Sequence, residues 1–165
     1  MSAFLLGKNW ESKAAENITD IIHTQSDWNF WGLVRNPIDK WVSAICQRYA
    51  PRNSFDGAST SYMERIKEIT DPDGLEKFIV DGDDEGHTRK QSWHYKNIDN
   101  IKLHKLDGLT TLPHLNKASG AQLHVKEQIH TIIKDRPSYI EKLEAMFLDD
   151  MRLWRSAQLE LIWKF

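Results

Sequence analysis

The chain has 165 residues, 28% of them charged, and a formal net charge of −2 at pH 7. This length predicts one domain over residues 1–165, and the near-neutral charge argues against a general nucleic-acid-binding or membrane-binding surface. A single cysteine excludes an internal disulfide framework, and the sequence contains no signal segment and no apolar run long enough to span a membrane. These features predict a soluble, cytoplasmic protein.

The first 34 residues have the pattern of a β-α-β unit. A short apolar run over 2–6 predicts a strand, a break follows at 7–9, and apolar residues then recur on one face of a predicted helix over 11–24. A second apolar run over 30–34 has the length of a buried strand. Two strands joined through a helix run parallel with a right-handed crossover. The sequence therefore predicts an α/β fold with a short parallel sheet.

The second strand leads directly into a helix predicted over 37–49. Asn36 is a favourable N-cap, and Pro37 suits the first helical position because its missing N–H needs no partner there. Free N–H groups at a helix start attract anions, and Arg35 adds a forked, permanently charged donor. Ser43 follows Arg35 by eight residues and adds a hydroxyl. The spacing suits a site for one phosphate; alternatively, Arg35 pairs with an acidic neighbour and Ser43 is a small surface residue.

The remainder of the chain predicts helices and one further strand. Apolar residues at helical spacing, Met63 among those expected to face inward, predict helices at 59–70, 75–80, 122–134 and 137–154, with a turn at 71–74. Alternation of polar and apolar residues predicts a strand over 101–106. Cys46 falls on the apolar face of the 37–49 helix and is expected in the core.

The acidic segment 81–86 is similar to the start of a calcium-binding EF-hand loop. Oxygen-bearing residues stand at its first, third and fifth positions, with glycine at the sixth. The twelfth position is Ser92 instead of the glutamate that binds calcium through both oxygens. A solvated acidic loop is the favoured interpretation, and we predict no metal site.

The segment Val34-Arg-Asn-Pro-Ile-Asp-Lys-Trp-Val-Ser-Ala44 resembles the 3′-phosphate-binding motif of sulfotransferases, in particular the Golgi carbohydrate type. That motif is roughly V-R-[ND]-P-x-[DE]-R-x-V-S-A, and its Arg and Ser hold the 3′-phosphate of the sulfate donor 3′-phosphoadenosine 5′-phosphosulfate. The resemblance assigns this role to Arg35 and Ser43, while Lys40 replaces the usual Arg. It implies a three-layer, P-loop-like α/β domain with a short parallel sheet flanked by helices.

Sulfotransferases also carry a 5′-phosphosulfate loop, similar to P-K-x-G-[ST]-[ST]-[ST], in the first turn of the β-α-β unit. Residues 4–13 occupy that place and match it in part. Lys8 corresponds to the catalytic, donor-binding Lys, and Ser12 to a donor-binding hydroxyl. Trp10 replaces the Gly of the loop, and Glu11 puts a carboxylate where a phosphate would rest.

The segment His87-Thr-Arg-Lys-Gln91 is similar to the family's His-x-x-x-Gln segment, which helps to shape the acceptor site. The resemblance makes His87 the candidate base for an acceptor hydroxyl, since the reference pKa of histidine lies near neutrality. It also implies that His87, Arg89 and Gln91 bind the acceptor. Without the resemblance, an ordinary surface loop explains these residues equally well.

Two later segments also resemble family patterns. Residues 111–120 are similar to an L-P-x-x-N-x-S loop near the donor nucleotide, which implies donor contacts from Asn116, Lys117 and Ser119. Residues 147–154 are similar to a Y-x-x-D-x-x-L/W pattern in the final helix. The latter is a packing feature to which we assign no chemistry.

The resemblance covers roughly residues 30–154 and implies a sulfotransferase. Such an enzyme transfers a sulfuryl group from 3′-phosphoadenosine 5′-phosphosulfate to a hydroxyl of a carbohydrate-like acceptor without a metal. The departures at Trp10 and Glu11 leave two alternatives open: a nucleotide-binding protein without transfer activity, and a structural or assembly protein with the same fold. Golgi relatives are anchored in membranes; because this sequence shows no anchor, we expect a bacterial or viral setting.

Overall fold

The computed structural model describes residues 30–49, 60–82, 88–95, 101–106 and 120–157. Its elements are β1 (Phe30–Val34), α1 (Pro37–Tyr49), α2 (Thr60–Thr70), α3 (Pro72–Asp81), α4 (Gln91–Tyr95), β2 (Ile101–Lys105), α5 (Gly120–Asp135), α6 (Pro137–Met146) and α7 (Leu148–Ser156). The two strands pair in parallel, with Phe30 opposite Ile101 and Val34 opposite Lys105. The described residues thus form a mixed α/β structure in which helices predominate.

The predicted elements at 30–34 and 37–49 are confirmed at both bounds, and β2 ends one residue before the predicted strand does. The predicted first strand and first helix, at 2–6 and 11–24, lie outside the described residues. Among the helices that the structure describes, none is both long and apolar enough to cross a membrane.

The chain divides into two compact units. The strand unit contains the described residues 30–36, 90–95, 101–106 and 149–157, which carry β1, β2, α4 and most of α7. The helical unit contains the described residues 37–49, 60–82, 88–89 and 120–148, which carry the other helices. Two such units can belong to one domain, so the single domain expected over residues 1–165 stays a prediction.

The strand unit packs around the end of β1. Val34 is fully buried there with Tyr95 and Ala157, and side chains of β2 and α7 pack against them. β1 lies close to its neighbours at Gly32, where an added Cβ would lie 2.8 Å from side-chain atoms of Ile101 and Leu103. Any larger residue at this position would therefore force β2 side chains to move.

The helical unit has a larger apolar core. Helix α1 packs against α2 and α5, while α6 packs against α3 and α5. Its buried residues come from all five helices and the residue after α6: Trp41, Val42, Ile45, Cys46, Ile69, Leu75, Ile79, Val125, Ile129, Ile133, Tyr139, Leu143 and Phe147. The prediction that Cys46 is a core residue is confirmed, and burial raises the pKa of its thiol to about 11.

The turn predicted at 71–74 is wrong, because most of these residues form the first turn of α3. Asp71 is the N-cap and accepts a 2.9 Å hydrogen bond from the Gly74 N–H, and Pro72 occupies the first turn. Asp, Pro and Gly favour turns and helix starts for the same reasons, so composition alone does not separate the two. Gly74 is required by packing, since an added Cβ would lie 2.2 Å from the Glu68 carbonyl oxygen.

Two other helix predictions need correction. The single helix expected over 137–154 is two helices, broken at Phe147, whose backbone leaves the helical region at φ −104° and ψ 30°. The Phe147 ring is buried in the helical core, so packing fixes a break that apolar spacing does not reveal. Met63, expected to face inward, is 46% exposed.

Candidate functional site

The order of elements predicted at the junction between β1 and α1 is confirmed. Strand β1 ends at Val34, Arg35 and Asn36 form the link, and α1 begins at Pro37. Arg35 therefore lies at the carboxyl end of a strand in a parallel sheet, the edge at which α/β folds bind ligands. Asp39 lies in the first turn of α1, where its charge favours the helix dipole.

The carboxamide of Gln91 holds the backbone of Arg35 through two hydrogen bonds. The Arg35 N–H donates to Gln91 Oε1 at 2.9 Å, and Gln91 Nε2 donates to the Arg35 carbonyl oxygen, also at 2.9 Å. Gln91 itself is 6% exposed. Two bonds between a buried carboxamide and one residue fix the direction of the chain where it leaves β1. The structure shows this contact with Arg35, whereas acceptor binding by Gln91 stays a prediction.

Gln91 is held in turn by Asp150. The Gln91 N–H donates to Asp150 Oδ2 at 2.6 Å, and the Ser92 N–H donates to Oδ1 at 2.7 Å. Asp150 is 1% exposed, so its carboxylate is enclosed by the groups that it bonds. Both N–H groups belong to the first turn of α4. By accepting from them, the Asp150 carboxylate stabilises the start of this helix in the way that an N-cap side chain does.

Sequence interpretation missed this role of Asp150. The residue occupies the acidic position of the Y-x-x-D-x-x-L/W pattern, to which we had assigned only packing. That acidic position was the available signal, since a carboxylate within an otherwise apolar packing pattern needs a partner once buried.

The hydroxyl of Tyr95 anchors the C-terminal end of α4. The Tyr95 hydroxyl donates a 2.9 Å hydrogen bond to the Leu33 carbonyl oxygen of β1. Burial raises the pKa of Tyr95 to about 12, so the hydroxyl keeps its proton and remains a donor at neutral pH. Both ends of α4 are therefore bonded to the end of β1, through Gln91 and through Tyr95.

Lys40 and Arg89 meet within the helical unit. The Lys40 ammonium donates to the Arg89 carbonyl oxygen, which ties the first turn of α1 to the segment that leads towards α4. Lys40 stands where the sulfotransferase motif has Arg, so here this position makes a backbone contact. Ser43 of α1 is half-buried, and its sequence neighbours Val42 and Ala44 are buried.

The start of α1 also carries an acid–histidine pair. His130 Nε2 of α5 lies 3.3 Å from Asp39 Oδ1. Burial lowers the pKa of His130, against the opposing effect of the Asp39 charge. His130 is therefore mostly neutral at pH 7.

The structure describes four predicted site residues, and it brings Gln91 into direct contact with Arg35. The other two are Ser43 and Arg89, and for all four the ligand contacts stay predictions. The remaining predicted residues lie outside the described ranges, and their roles stay predictions as well: Lys8, Ser12, His87, Asn116, Lys117 and Ser119.

Metal binding was not predicted. Within the ranges that the structure describes, His, Cys, Asp and Glu side chains nowhere form a group of three or more that could hold a metal ion. Of the acidic segment 81–86, only Asp81 and Gly82 are described; Gly82 ends α3 with a left-handed φ of 56°. The other residues of that segment lie outside the described part of the chain.

Comparisons of the chain with protein-family models, with curated proteins and with solved structures find no match.

Proposed function

We propose that this chain is a sulfotransferase that transfers a sulfuryl group from 3′-phosphoadenosine 5′-phosphosulfate to a hydroxyl of a carbohydrate-like acceptor. The observation that carries the proposal is the junction at Arg35. The arginine of the V-R-N-P motif directly follows a strand of a parallel sheet, and a helix begins two residues later. The proposal takes the whole fold to be a three-layer, P-loop-like α/β domain.

Donor binding in this proposal depends on the 3′-phosphate. The Arg35 guanidinium gives that phosphate a forked, charge-assisted contact, and the first N–H groups of α1 add positive partial charge. Ser43 supplies a hydroxyl, while Asn116, Lys117 and Ser119 contact the rest of the nucleotide.

Transfer itself is a substitution at sulfur. The acceptor hydroxyl oxygen attacks the sulfur, the bond from sulfur to the 5′-phosphate oxygen breaks, and 3′-phosphoadenosine 5′-phosphate leaves with the bonding electrons. His87 takes the proton of the hydroxyl, and Lys8 stabilises the negative charge that develops on the leaving oxygen. His87, Arg89 and Gln91 bind the acceptor. Cationic and hydrogen-bonding groups suffice for this chemistry, so the proposal includes no metal.

Calorimetric titration tests the donor site. Wild type, Arg35→Ala and a control, Arg152→Ala, are titrated with 3′-phosphoadenosine 5′-phosphate and with 5′-AMP, which lacks the 3′-phosphate. Arg152 is a suitable control because its side chain is 71% exposed on α7. We expect wild type and the control to prefer the 3′-phosphorylated nucleotide, and Arg35→Ala to lose about tenfold or more of that preference. Folded wild-type protein that binds neither nucleotide at millimolar concentration would overturn the proposal.

A second candidate is a nucleotide-binding protein without transfer activity. Trp10 and Glu11 favour it, because the first puts a bulky ring in place of the loop glycine and the second puts a carboxylate near the donor phosphate. Release of 3′-phosphoadenosine 5′-phosphate in the presence of carbohydrate acceptors separates the two. An enzyme releases it and loses that activity in Lys8→Ala, whereas the binding protein binds the nucleotide and releases no product. A structural or assembly protein would bind no nucleotide.

A further inference from the structure

The backbone of Arg35 lies just beyond the paired part of the sheet. The parallel register of β1 and β2 ends at Val34 and Lys105. At the next residue, the N–H and the carbonyl of Arg35 are bonded by the Gln91 side chain. A carboxamide presents a donor and an acceptor in one plane, as a peptide group does. Gln91 therefore extends the hydrogen bonding of β1 by one residue, to the residue proposed to bind the phosphate.

This contact is itself held in place. The carboxylate of Asp150 receives the N–H groups of Gln91 and Ser92, and Asp150 and Gln91 are both more than nine-tenths buried. A glutamine side chain has three rotatable bonds, and here both its backbone and its head group are fixed. The series of contacts from Asp150 through Gln91 to Arg35 lies entirely within the strand unit.

We propose that Gln91 is a positioning residue for Arg35: by bonding both backbone groups of Arg35, it sets the direction in which the guanidinium meets the donor 3′-phosphate. Asp150 supports it by fixing the first turn of α4. This inference rests on the proposed function, since it takes the 3′-phosphate as the ligand of Arg35. It differs from the predicted contact of Gln91 with the acceptor, because a positioning role changes nucleotide selectivity even when no acceptor is present.

The Gln91→Glu variant gives a direct test, because it keeps the shape of the side chain and makes one of the two bonds depend on pH. A carboxylate accepts from the Arg35 N–H and repels the Arg35 carbonyl, whereas a protonated carboxyl donates to that carbonyl. Burial moves the pKa of such a carboxyl upward, towards neutrality. Lowering the pH is therefore expected to restore the second bond in this variant.

The experiment measures the preference for 3′-phosphoadenosine 5′-phosphate over 5′-AMP from about pH 5 to pH 8. At pH 8 we expect Gln91→Glu to have lost about tenfold of the wild-type preference, and to approach wild type as the pH falls. Gln91→Leu cannot form either bond and is expected to show reduced preference throughout. Gln128→Glu, which adds the same charge at an exposed position on α5, is expected to follow wild type.

The outcomes separate this inference from the proposed function. If wild type shows no preference for the 3′-phosphate, the proposed function is overturned and this inference with it. If wild type shows the preference and both Gln91 variants, folded by circular dichroism, keep it at pH 8, this inference alone is overturned.

A second measurement needs no variant. Hydrogen exchange of the Arg35 amide in nucleotide-free wild type is expected to be slow, because that N–H is bonded to Gln91. Exchange at the rate of a solvent-exposed amide would overturn the positioning role even if neither variant folds.

Discussion

The helical unit and the strand unit are stabilised by different interactions. In the described part of the helical unit, thirteen buried residues form one apolar cluster. In the described part of the strand unit, a small cluster of three buried hydrophobic residues is accompanied by the buried polar residues Gln91 and Asp150, which make directional hydrogen bonds. Apolar packing tolerates small shifts, whereas a hydrogen-bond network holds fixed angles. The strand unit is thus the better place for a residue that must meet an anion in one orientation.

The largest loss of stability is expected from a cavity in the helical core. Leu143→Ala removes a fully buried side chain and should lower the free energy of unfolding by about 4 kcal/mol. Leu123→Ala, at a leucine of α5 that is 49% exposed, is the matched control and should cost much less. Urea denaturation measures both, and equal losses would contradict the division between a packed core and an exposed surface.

A smaller loss is expected from the polar network of the strand unit. Asp150→Asn replaces one carboxylate oxygen with an amide donor that faces an N–H of α4, and should cost about 2 kcal/mol. The neighbouring Asp149→Asn is the control, since the Asp149 side chain is 70% exposed and pairs with the exposed Arg152. Thermal denaturation compares the two; a stability of Asp150→Asn equal to that of the control would show that the buried network contributes little.

Loss of a single helix cap in the helical unit is expected to lower stability less than loss of the Asp150 network. Asp71→Ala removes the side chain that accepts from the Gly74 N–H, and should cost about 1 kcal/mol. Asp73→Ala is the control, because this carboxylate lies in the same helical turn with its side chain 88% exposed. Chemical denaturation is expected to show a larger loss of stability for Asp71→Ala than for Asp73→Ala. The reverse ranking would argue against Asp71 as the cap.

The smallest expected effect is on pH dependence. Because burial lowers the pKa of His130 below its unfolded value near 6.5, the unfolded chain binds the proton more readily. The contribution of His130 to the free energy of unfolding is therefore fully present above about pH 6.5. It is lost as the pH falls through the lower pKa of the folded state. Unfolding of His130→Asn should show a weaker loss of stability between pH 7 and pH 5 than wild type. His124→Asn, exposed on the same helix, should follow wild type.

Local patterns predicted the junction well. A short apolar run followed by Arg-Asn-Pro sets both the end of β1 and the start of α1, because each signal acts within a few residues. The β2 strand was found from its alternation for the same reason. Where two structures share one local signal, as at 71–74, the sequence does not decide between them.

The contacts that complete the site depend on residues far apart in the chain. Gln91 and Asp150 are separated by 59 positions, and Gln91 and Arg35 by 56. One sequence carries no information on which polar residues meet across such distances. Gln91 was singled out by resemblance, and its bond to the Arg35 backbone became visible only in the folded chain. The helix break at Phe147 also depends on packing. The sequence does not reveal it, because the apolar residues on both sides of Phe147 keep the spacing of one helix.

The burial of Cys46 has a practical consequence. It is the one cysteine of the whole chain, and its side chain lies in the helical core with its pKa raised to about 11. A thiol-modifying reagent needs the thiolate and access to it, so modification proceeds only through molecules whose helical core has opened. The rate of labelling then reports the opening of this unit without any introduced probe. Paired with amide exchange at Arg35, it would tell whether the two units open together or one before the other.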